Sequence, residues 1–131
     1  ANAIVESYAY DDAGRRLSRT SGAATTHYLY DGDDIYAEWS GGSSSNLTGV
    51  PTAVYIHGAG TDNPILRLTG STNTPSATQL TYLQDGLGSV VGMATPAGVL
   101  SASQRFDAWG NRTTGSGSVA QYGYTGREPD A

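Results

Sequence analysis

Four short frames punctuate this 131-residue chain: Asp11-Asp12-Ala13-Gly14, Asp85-Gly86-Leu87-Gly88, Asp107-Ala108-Trp109-Gly110 and, with Thr in the first place, Thr95-Pro96-Ala97-Gly98. An Asp at the first position accepts backbone N–H bonds from within the turn, and a Gly at the fourth takes positive φ without steric cost. Such a frame predicts a three-residue hairpin loop closed by a glycine bulge. Pro96 stands where φ near −65° is wanted. An aromatic residue precedes the Asp in Tyr10-Asp11, Tyr30-Asp31 and Phe106-Asp107, and Tyr82 stands three residues before Asp85. Asp31-Gly32-Asp33-Asp34 keeps the leading aspartate but lacks the closing glycine.

Between these turns the residues alternate with a period of two, and no helical period runs beyond about two turns. The expected strands are a hairpin over residues 4–20, then 26–30, a return strand with Ile35, Ala37 and Trp39 on one face, 53–57, 65–69, 79–84, 89–94, 99–106, 111–114 and 121–125. Residues 40–49 and 70–78 are Gly-, Ser- and Thr-rich and read as polar loops. The expected class is all-β: consecutive antiparallel hairpins in a meander. Asp11, Gly14, Asp31, Asp85, Gly88, Gly98, Asp107 and Gly110 are expected to fix the turns, with Tyr8, Tyr10, Tyr28, Tyr30, Tyr82, Phe106, Trp109 and Tyr124 packing between strands.

The apolar content is thin. Ile, Leu and Val number 20 in all, with one Phe, nine Tyr and two Trp. That suits a piece of a larger sheet better than a compact globule. All seven basic residues are Arg and the net charge is −5, which argues against nucleic acid as the main partner. Without cysteine the chain requires no oxidising compartment. No apolar run approaches membrane-spanning length, and the first residues lack the pattern of a signal peptide.

Three ordered groups of residues resemble the tyrosine-aspartate (YD) repeats of the Rhs family, which is related to the C components of insecticidal toxin complexes and to the teneurins. Tyr8-x-Tyr10-Asp11-x-x-Gly14-Arg15-x-Leu17 is similar to the repeat unit. Thr26-His27-Tyr28-Leu29-Tyr30-Asp31-Gly32-Asp33 is similar to the unit that opens the Rhs repeat-associated core, and Tyr55-x-His57-Gly58 with Asp62-Asn63-Pro64-Ile65 to that core's next segment. The most specific stretch holds Asp85-x-x-Gly88-Ser89-Val90, Arg105-Phe106-Asp107-x-x-Gly110-Asn111 and Tyr124-Thr125-Gly126-Arg127-Glu128. On this likeness residues 1–78 are repeat hairpins carrying the two polar loops, and residues 79–131 a core segment truncated before the family's autoproteolysis region. The resemblance implies hairpins joined into a spiralling sheet, the shell of a polymorphic toxin that encloses a C-terminal toxic segment, in a bacterial protein that is secreted or at the cell surface. Expected partners are the other strands of that shell, or a second copy pairing at a strand edge, and the enclosed segment.

The chemistry-bearing residues have plainer roles. Asp31, Asp33, Asp34 and Glu38 form the densest acidic group, but lack the ligand spacing of an EF-hand. His27 and His57 have neither Cys nor the spacing of a zinc site around them. Gly86-Leu87-Gly88-Ser89 lacks the Lys of a phosphate loop, and Ser89 with Asp85 lacks the elbow of a hydrolase nucleophile. No cofactor, metal or catalytic residue is expected. Two rival functions stand beside the structural one. One is a binding module that recognises glycans or a protein through exposed aromatics such as Tyr10, Tyr30 and Trp109. The other is participation in an aspartyl autoprotease in a full-length parent.

Overall fold

The structure, a computed structural model, describes residues 6–43, 46–47, 49–70, 78–119 and 122–127. It is all-β. Ten antiparallel strands follow one another in one open sheet whose order is the order of the chain. They are β1 (Glu6–Tyr10), β2 (Arg16–Ser21), β3 (Ala24–Asp31), β4 (Asp34–Trp39), β5 (Ala53–His57), β6 (Pro64–Thr69), β7 (Thr78–Gln84), β8 (Val90–Ala94), β9 (Leu100–Phe106) and β10 (Arg112–Ser116). The chain clusters into two compact units. Ala1–Val54 with Thr69–Ala77 make the first, and Tyr55–Leu68 with Thr78–Ala131 the second. The β5–β6 hairpin beyond Val54 thus goes with the later hairpins.

One turn recurs with the same bonds. At residues 11–15, 85–89, 95–99 and 107–111, the first residue's N–H donates to the fifth residue's carbonyl, and the fourth residue's N–H donates back to the first carbonyl, all at 2.9–3.1 Å. Gly14, Gly88, Gly98 and Gly110 take φ of 76–85°. Asp Oδ1 accepts from two further amides in each case: Ala13 and Arg15 at 3.0 and 2.8 Å, Leu87 and Ser89 at 2.9 Å, Trp109 and Asn111 at 2.8 and 2.9 Å. Thr95 Oγ1 accepts only from Val99 N, at 3.2 Å.

Each of these turns is followed, three residues past its glycine, by an unpaired extra residue on the returning strand. Tyr10 faces Arg16 after Ala9 faced Ser18, so Leu17 is passed over. Val91, Ser101 and Thr113 are passed over in the same way. A bulge locally increases strand twist, so the repeated unit is a turn plus a bulge.

The hairpin at Asp31 is built differently. Asp31 ends β3 and pairs with Asp34, which leaves a two-residue loop. The positive φ falls on Gly32, at 64°, so glycine is needed at the second place and not at the fourth. Gly22, with φ 60°, serves the same role in the tight hairpin between Ser21 and Ala24.

In the first unit Tyr28, Ile35, Ala37 and Ala53 are buried. Arg15 lies 5.5 Å from the centre of the Tyr30 ring and Arg16 lies 4.8 Å from that of Tyr8. Glu6 joins Arg19 and the Tyr8 hydroxyl. In the second unit Tyr55, Tyr82, Val90, Met93, Ala102 and Tyr122 form the core. The aromatic packing expected of Trp109 is not found. It sits third in its turn, points off the hairpin tip and is 88% exposed, and Tyr10 is 55% and Tyr8 40% exposed. The Tyr8 and Tyr10 rings lie 6.5 Å apart, so these two meet each other and Arg16 and stay partly open to solvent.

The turn glycines separate into two kinds. A Cβ on Gly88 would meet nothing within 4 Å, whereas one on Gly110 would meet the Tyr124 ring at 2.8 Å. Gly88→Ala is therefore expected to cost about 1 kcal/mol, the price of left-handed backbone, and Gly110→Ala about 1–2 kcal/mol more as Tyr124 is displaced. Denaturant unfolding of the two variants checks the difference; equal losses would place Tyr124 away from the turn.

Candidate functional site

The residues that converge are those at the turn-bearing end of the second unit, held by the segment 122–127. A last strand was expected at 121–125. Gln121 lies outside the described residues, and Tyr124–Gly126 forms a single 3-10 turn instead. The reason is a hidden copy of the recurrent turn. Gly123 N donates to Arg127 O at 2.7 Å and Gly126 N to Gly123 O at 3.2 Å. Gly-x-x-Gly here does what Asp-x-x-Gly does elsewhere, with Thr125 (φ 52°) and Gly126 (φ 74°) both left-handed.

This turn is bonded to three hairpins in succession. Against β8, Val90 N donates to Gly123 O at 2.9 Å and Thr125 N to the buried Ser89 Oγ at 3.0 Å. The buried Gln104 amide of β9 donates to Val90 O at 2.7 Å and Tyr122 O at 3.3 Å. Against the turn at 107–110, Tyr124 packs edge-on to Phe106 with centroids 5.7 Å apart, and its hydroxyl donates to Ala108 O at 3.3 Å. Against the β5–β6 loop, Gly126 abuts the Asp62 carbonyl, and Arg127 Nε lies 3.3 Å from Asp62 Oδ2. Ser89 and Asp85 thus make no nucleophile pair. Both side chains are occupied in holding turns.

Tyr122 is the anchor. Its ring is 5% exposed and meets Tyr55, His57 and Tyr82 edge to face, with centroids 5.6, 5.6 and 5.5 Å away. Its hydroxyl lies 2.9 Å from His57 Nε2. Such ring pairs contribute about 0.5–1.5 kcal/mol each beyond area burial. His57 is therefore a structural partner of this anchor, and His27 is buried within β3. Among the described residues no three His, Asp or Glu gather as a group able to hold a metal, and no helix is long and apolar enough to cross a membrane.

Beside this segment lies an open cleft of about 560 Å³, lined by Thr61, Asp62, Asn63, Gln84, Leu87, Gly88, Thr125 and Arg127. Leu87, 71% exposed on the tip of its turn, is the large apolar residue of this lining; Trp109, 88% exposed, stands on the tip of another turn.

Two turn aspartates, one in each unit, are held in their charged form. The Asp107 carboxyl is held below its ordinary 3.8, first by the Asn111 side-chain amide, then by backbone N–H groups of Asn111, Trp109 and Gly110. Asp11 is lowered too, chiefly by the Arg15 backbone N–H and then its guanidinium. A carboxylate whose pKa is lowered by folding contributes stability that is complete above the unfolded value and is lost as pH falls through the folded one. Asp107→Asn is expected to keep the turn at neutral pH, since its amide oxygen can accept the two backbone bonds made to Oδ1 while only the Asn111 Nδ2 bond to Oδ2 is lost, and to flatten the loss of stability below about pH 4. Melting temperatures of both proteins between neutral pH and about pH 2.5 measure this; parallel curves would show that the carboxylate charge plays no part.

The chain matches no known protein-family model. Over 127 aligned residues, 94% of this chain, it is 28% identical to the tRNA3(Ser)-specific nuclease WapA of Bacillus spizizenii. Over the same length it is 27% identical to the tRNA(Glu)-specific nuclease WapA of Bacillus subtilis subsp. natto and to the tRNA nuclease WapA of Bacillus subtilis strain 168. The chain spans 5% of the length of these relatives.

Proposed function

We propose that this chain is a structural segment of an Rhs-type, YD-repeat toxin: a stretch of the β-shell that encloses a toxic segment, with no catalysis of its own. The observation that carries this reading is the repeated unit, a turn and a bulge occurring at residues 11–17, 85–91, 95–101 and 107–113. A unit that adds one hairpin at a time builds a surface rather than a pocket. The distant likeness to the WapA nucleases agrees with it, because nearly the whole chain aligns with a small share of each. The nuclease activity in those names is assigned here to other parts of such proteins. A net charge of −5 suits an enclosing wall better than a surface that grips tRNA.

In this reading β1 and β10 each have a strand neighbour on one side only among the described residues, and such edges pair with further strands. The partners are the neighbouring hairpins of the shell, or another copy when the segment is alone. Light scattering of the purified chain over a concentration series tests this: mass rising with concentration is expected, and a monomer throughout would overturn it. Incubation with bulk tRNA is expected to leave the tRNA intact, and mass spectrometry of the stored chain to find no shorter fragments. Cleavage of either would overturn the assignment of a non-catalytic role.

The exposure of Trp109 and Leu87 favours a second reading, a module that binds glycans or another protein through its turn tips. Quenching or a blue shift of tryptophan fluorescence on titration with glycans, absent in Trp109→Ala, would move the assignment there.

A further inference from the structure

The segment 122–127 is seated the way a bound peptide is. Its bonds run to residues remote in sequence within the second unit. Val90 N donates to Gly123 O at 2.9 Å, the Gln104 amide donates to Tyr122 O at 3.3 Å, and Thr125 N donates to Ser89 Oγ at 3.0 Å. The Tyr122 ring lies among Tyr55, His57 and Tyr82. Protein surfaces read short peptides in this manner: main-chain bonds hold the peptide and pockets choose its side chains.

The socket selects at four of the six positions. The first takes a ring that bears a hydroxyl, because Tyr122 OH lies 2.9 Å from His57 Nε2. The third takes a ring, since Tyr124 packs edge-on to Phe106 with centroids 5.7 Å apart. The fifth must be glycine: φ is 74° at Gly126, and a Cβ there would run into the Asp62 carbonyl. The sixth takes a cation, with Arg127 Nε 3.3 Å from Asp62 Oδ2. Gly123 and Thr125 are held through their main chain. The sequence read is Tyr-x-Tyr-x-Gly-Arg.

None of these contacts depends on the segment belonging to the same chain. Residues 117–121 join it to β10, and the chain turns at Gly117 with φ 66°. Short hinges invite exchange of identical segments between copies, because the same contacts form again. We infer that the second unit carries a peptide socket specific for a Tyr-x-Tyr-x-Gly-Arg segment, and that its partner in trans is segment 122–127 of a second copy of this chain. In the lone chain a short tether gives the resident segment a high effective concentration, so a second copy enters only where that segment is released. The socket belongs to the second unit alone and does not require the shell reading. Joining through it is also distinct from pairing at the edges of β1 and β10.

Two full-length variants separate socket from segment. Tyr122→Ala with Gly126→Ala spoils the segment and leaves the socket whole. Tyr82→Ala with Gln104→Ala spoils the socket and leaves the segment whole. The probe is the capped peptide Tyr-Gly-Tyr-Thr-Gly-Arg at about 2 mM, ten times a dissociation constant of about 0.2 mM. It is expected to raise the melting temperature of the first variant by about 5–10 °C, or to restore a cooperative melt where that variant alone is unfolded. The wild-type chain, whose own segment fills the socket, is expected to bind the peptide about tenfold more weakly or less. The same peptide carrying Tyr122→Ala is expected to have no effect. In an equal mixture of the two variants, native mass spectrometry is expected to find the mixed dimer in excess of the statistical proportion that edge pairing gives. A first variant unmoved by the peptide overturns the proposal. So do an equal response of the wild-type chain, an equal effect of the alanine-bearing peptide, or dimers in statistical proportion.

Discussion

Gly126→Ala releases the 122–127 segment and lowers the melting temperature by about 10 °C or more. The reasoning starts from two separate penalties at one atom. An alanine at φ 74° carries the left-handed cost of about 1–2 kcal/mol. Its Cβ would also fall against the backbone carbonyl of Asp62, which cannot swing away as a side-chain tip can, and forced overpacking of this kind costs about 1–3 kcal/mol. For units of this size each kcal/mol lowers the melting temperature by about 4–8 °C. Gly60→Ala is the matched control, because Gly60 has φ 89° and a Cβ there meets nothing within 4 Å. The control isolates the conformational penalty. A second, local readout follows from the bond between Val90 N and Gly123 O: hydrogen exchange at Val90 should accelerate in Gly126→Ala and stay slow in Gly60→Ala. If the two variants lose the same stability, Gly126 does not sit against Asp62 and the segment is not held as described.

Turns were legible in the sequence because each is a local contract. Asp and Gly three apart have one conformation that satisfies the carboxylate and tolerates the glycine, so residues 11–14, 85–88 and 107–110 could be placed without knowing their neighbours. The strands between them followed from alternation, and Ala53–His57 begins and ends where the pattern put it. Bulges three residues past each glycine carry no such mark. Leu17, Val91, Ser101 and Thr113 share no residue type, and a bulge is a relation between two strands rather than a property of one. Trp109 escaped for the same reason: an aromatic beside a turn reads as packed until the structure places it third in the loop, where the chain points outward. The cleft was least legible of all, because Asp62, Gln84 and Thr125 are remote in sequence. One signal was present and passed over. Gly123 and Gly126 repeat the spacing of the other turns with glycine in the aspartate's place, and that spacing excludes the strand expected at 121–125.

Tyr122→Ala is the complementary experiment, since it removes the anchor and leaves the turn. The ring contacts Tyr55, His57 and Tyr82 at once, and deleting a large buried aromatic costs about 3–5 kcal/mol. Tyr122→Phe keeps all three ring contacts and removes only the hydroxyl bond to His57 Nε2 at 2.9 Å, a loss of about 1–2 kcal/mol. Denaturant unfolding of the two variants therefore separates ring packing from the hydrogen bond. A large gap between them means that the core of the second unit is closed by an aromatic residue delivered from far along the chain, as expected of hairpins that cannot bury their own faces with so few aliphatic side chains. Near-equal losses would mean that the hydroxyl bond fixes the segment and the three surrounding rings pack almost as well without it. The thin aliphatic content favours the first outcome: Val90 and Met93 are the large aliphatic side chains of that buried set among the described residues.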